Sequence, residues 1–126
     1  MPIKPENVYR YPADWQQIRE RILERAGNCC EGSPAFPHCR APNGWYRLHR
    51  GDFLVEHDEA IAYEYLGYHS TRIVLTIGHL DHTPENCDPA NLRAWCQRCH
   101  LTYDAKHHAQ TAYNTRRSGK ARGELF

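Results

Sequence analysis

Apolar residues recur at helical spacing near the start of the chain. Trp15, Ile18, Ile22 and Ala26 fall three or four apart, while Arg19, Glu20 and Glu24 take the other faces. This predicts an amphipathic helix over 14–26 with its apolar stripe in the core. Asp14 stands three residues before Gln17, the spacing of a capping box, and Gly27 marks the end. The run Thr71–Gly78 alternates and is rich in β-branched residues, which predicts a strand with His79 at its end. Residues 91–95 read as a second short strand or the approach to a helix that starts near Gln97 and runs to Gln110 or beyond. The other stretches lack a period. Residues 1–11 read as an extended arm, and 28–44 as a loop punctuated by Gly32, Pro34, Pro37, Pro42 and Gly44. Residues 46–70 read as an insertion, part of a hairpin, with either a short helix at 59–66 or a strand at 61–65. The fold class expected is α+β.

Composition narrows this picture. A chain of 126 residues is one domain with or without tails. A hydrophobic fraction of 40% implies a modest core, and such cores often need a staple. Six cysteines and nine histidines make a metal the expected one. No signal peptide or membrane-spanning run is visible, so a cytoplasmic setting is expected, where Cys-x-x-Cys pairs serve as zinc ligands more often than as disulfides. The net charge of +1 does not announce a nucleic-acid binder, but its distribution is uneven. Lys106, Arg116, Arg117, Lys120 and Arg122 oppose only Glu124 near the C-terminus, whereas 46–70 is acidic. The basic end reads as either a phosphate contact or a solvated tail.

The chemistry concentrates in residues 78–108. Cys96-x-x-Cys99 is half of a zinc tetrahedron. Cys30 and Cys39 sit on a loop that otherwise lacks an anchor and are candidates for the other half; Cys29 could replace Cys30, and Cys87 reads as a free thiol. His100 and Asp104 are four apart on the predicted helix and share a face, a spacing that suits two ligands of one divalent ion. His107 and His108 read as helix-end or solvent-facing residues. His49, His57 and His69 read as surface or packing residues. A neutral imidazole at a strand end, His79, can take a proton from water near neutral pH, and Asn91 could orient it.

Strand-end His79, then Asn91, then Cys96-x-x-Cys99-His100 resembles the HNH endonuclease motif. The likeness covers about residues 73–108 and extends to small phage and prophage members with a first cysteine pair. The resemblance implies a small zinc-stapled domain, an N-terminal helix and a ββα-metal core. It implies Cys30, Cys39, Cys96 and Cys99 as structural zinc ligands, and it is the ground for preferring Cys30 to Cys29. It also implies a catalytic divalent metal (Mg, Mn, Ni or Zn) held by His100 with Asp81 and Asp104. His79 would be the general base; in a second register His79 binds metal and His82 is the base. One position departs from the pattern. Many members carry Asp or His just before the first histidine, and here that residue is Gly78.

The expected activity is therefore metal-dependent hydrolysis of DNA phosphodiesters, with Arg93, Arg98, Lys106, Arg116 and Arg117 as backbone contacts and low sequence specificity. Phage packaging proteins are a further partner by family analogy alone. The alternative is a zinc-knuckle module that binds nucleic acid, or serves phage assembly, without cutting. The domain division is an arm at 1–13, a nuclease domain at 14–110 with its insertion at 46–70, and a basic tail at 111–126.

Overall fold

A computed structural model describes residues 5–121, leaving aside the side chains of Glu6, Asn7, Lys106, His108, Gln110, Thr111 and 117–121. It is a mixed α+β structure. A 3-10 turn, Pro5–Arg10, leads into helix α1, Trp15–Arg25. Strands β1 (Tyr46–Leu48) and β2 (Leu54–Val55) precede helix α2 (His57–Tyr65) and strand β3 (Ser70–Arg72). Strand β4 (Thr76–His79), a 3-10 turn at Pro89–Asn91, strand β5 (Leu92–Trp95) and helix α3 (Gln97–Ala121) complete the described residues. The strands form two antiparallel sheets, β2-β1-β3 and β4-β5. Among the described residues no helix is long and apolar enough to cross a membrane.

Several local expectations change. The stretch expected as an extended arm includes the Pro5–Arg10 turn. The helix begins at Trp15, and Asp14 makes no side-chain cap bond, because its backbone (φ −95°, ψ 21°) lies outside the extended region a capping residue needs. The single strand expected over 71–78 is two. Alternation persists through it, with Ile73, Leu75 and Ile77 buried and Val74 exposed. The hydrogen-bond partners, however, change hands. Ser70–Arg72 pairs with β1, and Thr76–His79 pairs with β5. Between them the Ile73 amide donates to the Trp45 carbonyl at 2.7 Å and the Leu75 amide to Asn43 Oδ1 at 3.1 Å. In the insertion the helical alternative is the one formed, as α2. The last helix continues to Ala121, so 111–121 extend α3.

Three small cores result. Ile22 of α1 packs on Ile77, Leu92 and Ala94 of the β4-β5 pair, with Trp15, Ile18 and Ala26 around it, so the predicted stripe is core. Leu48, Val55 and Ala60 form the insertion's own core. The third joins Ile73, Leu75 and Trp95 to Cys30, Cys96 and Cys99, which makes the sulfurs themselves core atoms.

Candidate metal centre and the histidine cluster beside it

The cysteine ligands come from two directions. Gly27 and Asn28, both at positive φ (65° and 59°), reverse the chain after α1 and deliver Cys30. The Cys30 amide then donates to the Ala41 carbonyl at 2.9 Å. Gly32 follows at φ +82°, and a Cβ there would lie 2.7 Å from the Pro37 carbonyl oxygen, so the loop closes tightly only with glycine. Its amide points at Cys30 Sγ, 3.4 Å away. Glu31 fastens this loop to the strand: its amide donates to the Ala94 carbonyl, its carboxylate accepts from the Ala94 amide, and Arg25 binds the same carboxylate at 2.7 Å. Trp95 Nε1 donates to the Gly32 carbonyl at 2.6 Å. Cys96 and Cys99 come from the chain entering α3.

The four sulfurs of Cys30, Cys39, Cys96 and Cys99 all lie within 4.8 Å of one another. Cys39 and Cys96 are 3.8 Å apart, and none of the cysteines forms a disulfide. A zinc tetrahedron with bonds near 2.3 Å has sulfur–sulfur edges of about 3.8 Å. The cluster is therefore already near the size of one ion. Its protonation chemistry agrees. Without a cation the thiols share protons: Cys30 donates to Cys96, which holds the Cys30 thiol far above its usual range and the Cys96 thiol down at about 4. Burial pushes Cys99 up to about 11. A divalent cation would let all four ionise together. Four cysteines are thus positioned to bind a metal ion, and the donor set suits a structural zinc. Cys29 stands outside the group, as does Cys87, whose thiol donates to the Pro84 carbonyl.

One turn into α3 the character changes. His100 Nε2 lies 3.1 Å from Asp104 Oδ2, as their spacing suggested, and its Nδ1 lies 2.6 Å from Thr76 Oγ1 on β4. The other oxygen of Asp104 lies 3.3 Å from His82 Nδ1. One carboxylate thus joins a helix histidine to a loop histidine. His82 has φ +57°, an uncommon backbone for a branched-ring side chain, and its amide donates to the His79 carbonyl in a tight turn. Its ring stacks on His107 with centroids 4.0 Å apart and on Tyr103 at 5.3 Å. The Tyr103 hydroxyl donates to the Leu80 carbonyl at 2.5 Å, tying the loop to α3. Thr76, Tyr103 and His107 were not singled out as site residues in the sequence, because their partners are distant in the chain.

His79 is buried, stacked on Trp15 with centroids 5.4 Å apart and touched edge-on by Tyr11. Its Nε2 is buried with no hydrogen-bond partner. Burial lowers its pKa; the Asp81 carboxylate opposes that shift, and the nearby His100 adds to it.

Asp81 and Asn91, expected at the metal and at the imidazole, hold the loop between β4 and β5 instead. Asn91 Nδ2 donates to Asp81 Oδ1 at 2.9 Å and to the Asn86 carbonyl, and Asn91 Oδ1 accepts from the Asp81 amide. The second Asp81 oxygen accepts from Asn86 at 2.8 Å. These bonds, Asn86 first and Asn91 next, hold the Asp81 carboxyl at about 2. Gly78 also finds its reason here. A Cβ at that position would overlap the Trp95 ring, so the place beside Gly78 is filled by an indole.

The expected phosphate contacts are dispersed. Arg93 turns back on the Ala90 and Leu92 carbonyls. Arg98 lies over the Phe36 ring at 3.8 Å and 3.7 Å from Asp52, and so belongs to the cysteine side. Arg116 is exposed on α3. The side chains of Lys106 and Arg117 lie outside the described residues. Comparison with family models, with curated proteins and with solved structures finds no match.

Proposed function

We propose that the chain is a metal-dependent nuclease acting on DNA phosphodiesters, an HNH-type ββα unit whose β4, β5 and α3 carry the chemistry. The observation that supports this reading most is the Asp104 carboxylate shared between His82 and His100. His82 is the general base: Asp104 fixes its Nδ1, which leaves Nε2 to take a proton from the attacking water. As the ring becomes cationic, the same carboxylate stabilises it. This favours His82 over His79 as the base, because the His79 ring is shut beneath Trp15 and Tyr11. A divalent ion held by His100 and Asp104, when bound, would stabilise charge on the leaving oxygen. Thr76 holds the far side of the His100 ring, as partners of metal-bound histidines do. The four cysteines would hold zinc and fix the head of α3.

Supercoiled plasmid incubated with the protein and Mg²⁺, Mn²⁺, Ni²⁺ or Zn²⁺ tests this. Conversion to open-circle or linear DNA is expected, and His82→Ala, His100→Ala and Asp104→Asn should each lower the rate by about 100-fold or more. Plasmid left supercoiled with all four metals, or cut equally by these variants, would sink the reading. A second reading, a binding module that does not cut, gains from Gly78 and from the use of Asp81 in the loop. It predicts a mobility shift of DNA without cleavage.

A further inference from the structure

Strand β1 has two faces. Tyr46 and Leu48 point into the insertion's own core, and by the period of a strand Arg47 points the other way. There it meets the cysteines. Arg47 Nη2 lies 3.6 Å from Cys96 Sγ and 4.0 Å from Cys39 Sγ. Arg98 approaches Cys39 from α3, stacked on Phe36, with its Nε buried and lacking a hydrogen-bond partner. Asp52, in the turn between β1 and β2, holds the outer end of Arg98 at 3.7 Å. Two guanidinium groups thus converge on one side of the cluster, one carried by the insertion and one anchored to it.

Four thiolates around a divalent ion leave a net negative charge inside a core, which is costly unless donors and cations offset it. A guanidinium is suited to this because it donates several N–H bonds and stays charged. The Gly32 amide supplies another donor to Cys30. We propose that Arg47 of the insertion and Arg98 of α3 act together as a cationic clamp on the cysteine centre, with Arg47 the principal donor and Arg98 the second, and that this clamp sets how slowly the ion leaves. The proposal rests on the four cysteines holding an ion, and it is independent of whether the protein cuts DNA. It gives the insertion a task and moves Arg98 from phosphate binding to metal retention.

The experiment follows zinc leaving the zinc-loaded full chain into the chromogenic chelator 4-(2-pyridylazo)resorcinol at neutral pH. Arg47→Gln should release zinc about tenfold faster, within the range seen when outer partners of metal ligands are removed. Arg98→Gln should accelerate release less, and Arg47→Lys should fall between Arg47→Gln and the parent. Arg50→Gln removes the same charge from the same hairpin and should stay within about twofold. Circular dichroism of each loaded variant checks that it is folded; if Arg47→Gln does not fold, Arg47→Lys decides by the same threshold. Acceleration beyond about threefold that exceeds the effect of Arg50→Gln upholds the clamp, and any smaller or equal effect overturns it. A parent protein that carries no zinc overturns the clamp and the ion assignment together, which distinguishes that failure from a faulty clamp on a real zinc site.

Discussion

The cysteine centre and the histidine cluster meet at the head of α3, where Cys99 and His100 are neighbours, yet they are built oppositely. The sulfurs of Cys30, Cys96 and Cys99 are fully enclosed, while the His82 side chain keeps a quarter of its surface open to solvent. The cysteine group is nearly closed, with Cys39 its half-buried member, as structural sites are; the histidine group keeps an open edge at His82. The loops that make them differ in the same way. The Cys30 loop is fastened to β5 by backbone and side-chain bonds from Glu31. The loop holding His82 is fastened by Asn91 and Tyr103, with Asp81, Glu85 and Asn86 exposed along it. One ion-sized hole serves the fold, and one partly exposed set of titratable groups is available for chemistry.

The largest expected effect comes from breaking the closed half. Cys30→Ala or Cys96→Ser should remove the bound ion and abolish the cooperative thermal transition, because structural zinc supplies on the order of 10 kcal/mol and domains of this size have about that much stability or less. Calorimetry checks this. His100→Ala should leave the transition nearly in place.

A smaller effect is expected where the two halves touch. Gly78→Ala drives a methyl group into the Trp95 ring, whose other edge belongs to the cysteine core. It should cost about 1–3 kcal/mol, read as a lowered denaturation midpoint in urea. An aspartate there should cost more, because its larger side chain meets the same ring.

Third, stability should depend on His79. Its folded pKa lies below the ordinary 6.5, so the unfolded chain binds the proton first as pH falls. Stability is full above 6.5, declines as pH drops from there toward the folded pKa, and then levels off. An NMR titration of the His79 ring should give a midpoint below 6.5. A midpoint at or above it would mean that Trp15 and Tyr11 do not bury the ring as described.

The smallest effect is at Asp14. With no cap bond to lose, Asp14→Ala should change stability by less than about 0.5 kcal/mol, whereas a working cap would cost about 1 kcal/mol. A thermal melt separates these.

These contrasts mirror what could be read from the chain. Local periodicity was enough for α1 and its buried stripe, for α3 from Gln97, and for His100 and Asp104 on one helix face. Cys96-x-x-Cys99 demands two more ligands and the 28–44 loop needs an anchor, which makes its cysteines legible as candidates, while the preference for Cys30 over Cys29 rests on the resemblance alone. What failed depended mainly on partners far away in sequence. The strand expected over 71–78 divides because Trp45 and Asn43 capture the backbone of Ile73 and Leu75. Arg98 faces Phe36 of the 28–44 loop and Asp52 of the insertion, partners that its basic charge alone does not reveal. Asp81 is a metal ligand only by the resemblance; in the structure Asn86 and Asn91 donate to its two oxygens from within the same loop, a local pairing that the sequence does not announce. Gly78 read as a missing ligand until the Trp95 ring was seen against it.

The most direct test of the whole account is the metal content of the folded chain by native mass spectrometry, before and after mild chelation. One zinc per chain should survive mild chelation, with a second, exchangeable ion appearing only when divalent metal is supplied. A folded chain that carries no tightly held ion would contradict the account at its centre.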